Sequence, residues 1–203
     1  MPFRFDKLTI KAQEGLARAQ ELAAGAGNPQ IEPVHLLASL LQEGEGIVRP
    51  VLEKIGVNLR QLEAIVEAEL KHFPRSSGGS PPGVGPQLSK VLDAAQAEAD
   101  GMKDEFVSTE HLLLALAGTP SKAQDTLQLV AITKDKVLSA LQAVRGSARV
   151  TDQNPEGKFQ ALEKYGIDYC CGGKQTLENA CREKGVSPAA VKNEIDNAAA
   201  GVS

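Results

Sequence analysis

The 203-residue sequence predicts an all-α protein: a tandem, pseudo-twofold repeat of two four-helix units, followed by a small helical domain. Three observations carry this expectation. The segment IEPVHLLASLL at 31–41 returns at 107–117 as VSTEHLLLALA, placing His35 and His111 in the same slot at an offset of 76 residues (111 − 35). The preceding stretches agree at that offset, LARAQELA at 16–23 against LDAAQAEA at 92–99, and self-similarity at a fixed period marks a repeat architecture. Aromatic residues make up only 3% of the chain and Trp is absent, so the core must be built from Leu, Val, Ile and Ala, which favours closely packed helices.

Taken in order, Thr9 can cap a first helix in which Ala12, Leu16, Ala19 and Ala23 share one face. That helix ends across 25–28. Pro33 opens the second at its first position, with Leu36, Leu37, Leu40 and Leu41 as the buried stripe and Gly44 and Gly46 closing it. A short helix over 47–55 stops at Gly56, and Asn58 caps a fourth that carries Leu59, Leu62, Ile65, Val66 and Leu70. The run RSSGGSPPGVG at 75–85 is dense in helix breakers and reads as a mobile connector. The plan then repeats: a helix over 87–103, a helix capped by Ser108 with His111, Leu112, Leu113 and Leu116, and a last pair over 121–130 and 133–144. Glu110 lies in the first turn of the Ser108-capped helix, where the helix dipole favours an acid. The expected boundaries are a double repeat over 1–146 (units 1–70 and 87–146, flexible connector 71–86), a linker over 147–156 and a tail domain over 157–203.

Composition excludes several classes of function. The formal net charge is −4 with no Lys/Arg run, and stacking aromatics are scarce, so nucleic acid is not an expected partner. No stretch approaches the ~18 apolar residues of a membrane span, and the N-terminal stretch has no signal-peptide apolar region. The expectation is a cytoplasmic protein. All three cysteines fall within 170–181, an odd, clustered set that reads as reactive or metal-linked thiols, not as a secreted disulfide framework. His35 and His111 each lack a Cys, Asp or Glu at i+4, so both are expected to bond a backbone group at a helix start, and His72 to face solvent.

The repeated HLL blocks, the eight-helix plan and the opening LTIKAQEGLARAQELA resemble the N-terminal domain of the ClpB disaggregase family. VTDQNPEGKFQALEKYGID at 150–168 resembles that family's passage into its first ATPase module. The resemblance implies a domain that engages unfolded or damaged polypeptide, or a Clp-type partner. It also links Thr9, Asp104 and Glu110 to substrate engagement, although all three equally fit as caps or first-turn acids. The ATPase module itself has no counterpart: neither Gly157-Lys158 nor Gly173-Lys174 fits G-x-x-x-x-G-K-[ST], so no nucleotide hydrolysis is expected.

Beyond that point, GIDYCCGGKQTLENACREKG at 166–185 is similar to the ScdA_N (DUF542) domain of iron-sulfur cluster repair proteins. The similarity rests on Asp168, Tyr169, Cys170, Cys171, Gly172, Gly173 and Lys174, with Leu177 and Cys181 following. It implies a role in nitrosative or oxidative stress, iron or an iron-sulfur cluster handled transiently through the cysteines, and a repair-protein partner. The di-iron bundle of those proteins has no counterpart in this sequence, and no resident cofactor is expected.

From the residues themselves, Gly172 and Gly173 allow a sharp turn. Thr176 can cap a helix over 177–184 ended by Gly185, and Ser187-Pro188 starts a last helix through Val191 and Ile195. Lys174 and a nearby helix start favour thiolate at Cys170 and Cys171. A disulfide between neighbours would be strained and easily reduced, and Cys181 is either a resolving thiol or a small core residue. Three thiols do not complete a zinc site within one chain, whereas a homodimer could. The function expected is a non-ATPase adaptor that binds protein or peptide and is coupled to a Cys-Cys redox module in the stress response. The alternative is an accessory to iron-sulfur cluster repair acting through the Cys pair.

Overall fold

The computed structural model describes residues 4–44, 46–76, 80–145, 149–154, 164–165 and 177–199. The first unit holds α1 (Ile10–Gly25), α2 (Pro33–Gln42), α3 (Val48–Ile55) and α4 (Leu59–Leu70). The second holds α5 (Pro86–Met102), α6 (Thr109–Gly118), α7 (Lys122–Leu129) and α8 (Lys134–Arg145). Their starts follow from side-chain caps, of which Thr9 and Asn58 were expected. Thr9 Oγ1 accepts the Ala12 N–H (3.2 Å), Asn58 Oδ1 that of Gln61 (3.2 Å) and Ser121 Oγ that of Gln124 (3.3 Å). Ahead of α2 and α6 the cap is reciprocal, because the N–H groups of Glu32 and Ser108 each donate to the Nδ1 of the histidine three residues on (3.0 Å in both).

α2 and α6 depart from the expected one-sided stripe. Every residue from Pro33 to Leu41 and from Thr109 to Ala117 is buried, since these two helices form the centre of the domain and the others enclose them. Within each unit the first helix packs on the second. Across units α3 packs on α8 and α4 on α7, and apolar residues of both halves join one core.

Short extended segments lock the halves together. Leu8, ahead of α1, forms a parallel bridge with Val107 of the second unit, while β2 (Gly83–Val84), ahead of α5, pairs in parallel with β1 (Gln30–Ile31) of the first. The bonds match at the repeat offset: Thr9 N–H donates to Val107 C=O (2.9 Å) and Gly85 N–H to Ile31 C=O (3.0 Å). Each unit's leading segment thus lies on the other unit. Gly85 is confined to glycine by this closeness, since a Cβ there would stand 2.9 Å from the Ile31 carbonyl oxygen.

The segment expected to be a mobile connector is therefore tied at both described ends, through β2 and through Ser76 N–H donating to Gly27 C=O (2.8 Å). The linker is anchored as well. Glu105 N–H donates to Val150 C=O (2.9 Å) and Ile10 N–H to Gln153 C=O (2.7 Å).

In the tail, α9 (Leu177–Lys184) and α10 (Pro188–Ala199) are joined at Gly185, whose φ of 67° lies in the left-handed region that glycine adopts without cost. Cys181 and Val191 form the centre of a small cluster with Tyr165, Leu177, Ala180, Val186 and Ile195 around them. Among the described residues no helix is long and apolar enough to cross a membrane.

Candidate functional site

Of the residues singled out in the sequence, Asp104 sits at the centre of the most developed polar cluster. It follows α5, after Lys103 turns the chain at a left-handed φ of 60°, and its side chain is fully enclosed. Oδ2 lies 2.9 Å from His111 Nε2, while Oδ1 accepts from Arg145 Nη2 (2.5 Å) and from the Val150 N–H (2.9 Å). Because His111 Nδ1 already accepts the Ser108 N–H, the ring carries its proton on Nε2 and donates it to Asp104. Burial alone would raise the Asp104 carboxyl. The hydrogen bonds from His111, Arg145 and Val150, with the Arg145 charge, outweigh it and leave the group at about 2. Both carboxylate oxygens are occupied, so the cluster clamps backbone and does not present an open acid or base.

Glu110, first-turn acid of α6, places Oε1 3.6 Å from Arg145 Nη1. Thr9 caps α1, and its backbone is bonded to Val107 on the same side of the domain. The structure thus brings Asp104 and Glu110 together through one arginine and puts Thr9 at the adjoining bridge. All three side chains are inside the domain, with 0%, 7% and 4% of Thr9, Asp104 and Glu110 exposed. On the segments that carry the Leu8 and Val107 bridge lie Phe5, 55% exposed, and the half-buried Phe106, whose ring lies 5.7 Å from Lys7 Nζ.

The first unit holds the counterpart at the repeat offset. His35 Nδ1 accepts from Glu32, Nε2 donates to Asn28 Oδ1 (3.0 Å), and Asn28 Nδ2 donates to Pro74 C=O (2.9 Å). Burial pushes His35 below the usual histidine value. Both histidines bond a helix-start backbone group, as expected for them, and His72 is exposed beside Glu69. Sequence reasoning missed Asn28, Arg145 and Val150. The repeat offset was the available signal, since it sets Asn28 against Asp104 and Pro74 against Val150.

Beside the Asn28 cluster a cleft of about 710 Å³ opens between the outer face of α1, with Ala17, Gln20 and Ala24, and the connector residues Pro81 and Pro82. In the tail, Cys181 is wholly buried in the α9 and α10 cluster, the surroundings of a small core residue. Asp168, Tyr169, Cys170, Cys171, Gly172, Gly173 and Lys174 lie outside the described residues. Among the described residues no group of three or more His, Cys, Asp or Glu side chains is placed to hold a metal ion.

Comparison with known proteins adds to this geometry. The Clp repeat (R) N-terminal domain family matches residues 7–130, and ScdA_N, a domain of unknown function (DUF542), matches 157–199. The chaperone protein ClpB of Rhodopirellula baltica is 45% identical over 168 residues, covering 83% of this chain and 19% of ClpB. That of Corynebacterium glutamicum is 41% identical over 162 residues, covering 79% and 19%. The chain thus spans about a fifth of the length of the curated relatives it matches. Among solved structures, the Hsp104 N-terminal domain from Candida albicans aligns with a TM-score of 0.66 at 24% identity, covering 72% of this chain and 97% of that one. The ClpV N-domain in complex with VipB peptide aligns at 0.53 and 19% identity, covering 66% and 89%.

Proposed function

This chain belongs to the Clp repeat N-terminal domain family, and on that premise we propose that it acts as a non-ATPase adaptor that binds unfolded or damaged polypeptide. The observation that carries the reading is the double repeat over 7–130, in a sequence with no phosphate-binding loop. The polypeptide engages the surface at Phe5 and Phe106, while Thr9, Asp104 and Glu110 act from beneath by holding the Leu8 and Val107 junction in place. That a ClpV N-domain is known with a VipB peptide supports a peptide as the kind of ligand. One small site engaged singly gains no avidity, so each binding event is weak. The test is fluorescence anisotropy with a labelled, reduced and carboxymethylated protein. Binding that Phe5→Ala weakens at unchanged melting temperature supports the reading. No binding, or binding indifferent to Phe5, removes it.

We propose a second element from the Cys-Cys run of the sequence, in which Cys170 and Cys171 form a thiol switch coupled to this adaptor or serve iron-sulfur cluster repair; the family matched over 157–199 is itself of unknown function. The neighbouring Lys174 favours thiolate, the species that attacks oxidants and disulfides. Alkylation of Cys170 or Cys171 faster than a free model thiol, or stoichiometric iron in protein purified without oxygen, supports it. Ordinary alkylation rates together with no bound metal leave only the binding module.

A further inference from the structure

We propose that residues 149–154 are the internal occupant of an extended-peptide site on the double repeat, and that incoming polypeptide binds by displacing them. The proposal rests on the polypeptide-binding reading above and gives it a location and a control.

The segment leaves α8 without forming a helix or strand of its own, yet its backbone is engaged at three points. Val150 N–H donates to Asp104 Oδ1 (2.9 Å), Val150 C=O accepts from Glu105 N–H (2.9 Å), and Gln153 C=O accepts from Ile10 N–H (2.7 Å). Gln153 Nε2 adds a longer contact to Asp6 C=O (3.4 Å). Among the side chains Val150 is buried, 4% exposed, while Thr151 and Gln153 face outward. This is how a site reads an extended peptide: main-chain bonds give the hold, and one buried side chain, here Val150, gives the selection.

The receiving groups would need partners without the strap. Ile10 N–H belongs to the first turn of α1, which has no intrahelical acceptor. Asp104, already fixed by His111 and Arg145, presents an oxygen to any backbone N–H placed opposite it. The first unit cannot do the same, because Asn28 there donates to the Pro74 carbonyl and so selects for C=O. The second site therefore accepts an ordinary extended segment with an aliphatic residue at the Val150 position and any residue but proline there. Its edge adjoins Phe5 and the Leu8 bridge to Val107, so a bound polypeptide runs from the exposed aromatic surface into the place the strap holds.

The test uses the full chain with residues 149–154 replaced by alternating Gly and Ser. The probe is a fluorescein-labelled peptide, SARVTDQN, copied from residues 147–154. The expected result is at least tenfold tighter probe binding by the strap-replaced chain than by the wild type, and loss of binding when the probe carries Pro in place of its Val. Equal binding by both chains, with the helical melting transition intact, overturns the proposal. So does a Pro probe that binds as well as the original. Should the replaced chain fail to fold, the single substitution Val150→Ser is read in the same way. Carboxymethylated protein separates strap displacement from polypeptide binding itself. If it binds wild-type and strap-replaced chains equally, displacement is wrong and the adaptor reading stands. If it binds neither while the probe still binds the strap-replaced chain, the polypeptide reading falls and the site holds only the chain's own segment.

Discussion

Asn28 and Asp104 occupy the same place in the two units, each receiving the imidazole N–H of a histidine seven residues on and each fastening the chain that leaves its unit. They differ because the departing chain differs. Pro74 has no N–H and can only be held by its carbonyl, so the first unit uses an amide that donates. Val150 offers an N–H, so the second unit uses a carboxylate that accepts, and a buried carboxylate calls for a cation, which Arg145 supplies. One clamp is neutral and the other charged, although the folds around them match.

The sharpest way to break this comparison is to remove each clamp. Asp104→Ala leaves Arg145 without its main partner and His111 with an unmet N–H, and should cost about 3–5 kcal/mol. Asn28→Ala, which strands only neutral groups, should cost about 1–3 kcal/mol. Urea denaturation of both variants checks the order, and equal losses would mean that charge contributes nothing here. The shared core predicts the opposite outcome for the central helices. Leu37→Ala and Leu113→Ala, fully buried and 76 residues apart, should each cost about 2–5 kcal/mol and by similar amounts in the same titration, since both empty one common interior.

Acid separates the clamps by titration. Asp104 is held at about 2, below the ordinary carboxylate value of about 3.9, so its contribution of roughly 2–3 kcal/mol is complete above about pH 5 and is lost as pH falls through 4 toward 2. His35 is likewise held below its usual value. The unfolded chain takes up that proton first, and stability also declines as pH falls below about 6.5. Stability measured against pH should lose its low-pH limb in Asp104→Ala and keep the limb near pH 6.

The smallest expected effects lie at the helix ends. Where the first unit turns with Gly27 and Gly56 at φ of 72° and 86°, the second turns with Lys103 and Ala131 at 60° and 57°. A side chain in the left-handed region is unfavourable, so Lys103→Gly and Ala131→Gly should each raise stability by about 1 kcal/mol or somewhat less, and Gly56→Ala should lower it by a similar amount. Thermal melts of the single variants decide this.

Much of the double repeat was legible in the sequence because its signals are local. Thr9, Pro33, Asn58, Ser108 and Ser121 announce helix starts by their own chemistry, and the apolar period places the faces between them. The clamps were harder to read, since Arg145 and Val150 reach Asp104 from more than forty residues away, and only the repeat offset relates Asp104 to Asn28 and Val150 to Pro74. The bridges were hidden for another reason: β1 and β2 are two residues each, too short to show a strand's alternation. Thr9, Asp104 and Glu110 read equally as caps or as contacts for a ligand, and their burial is a property of the folded whole that no local pattern announces. The tail helices were placed by Leu177, Gly185 and Pro188, whereas the Cys170 and Cys171 motif lies beyond the described residues.

The crossed leading segments carry a consequence for how the two halves are joined. Cut between residues 76 and 80, the protein would yield one piece ending with an unfilled groove at Ile31 and another beginning with the segment that fills it, while Leu8 on the first piece fits the vacancy at Val107 on the second. Each half is incomplete in the way the other supplies, as in a pair of molecules that exchange arms. The covalent link then serves chiefly to keep the two within reach, raising the effective concentration at which they meet, and the geometry of the assembled domain is written in the arms themselves.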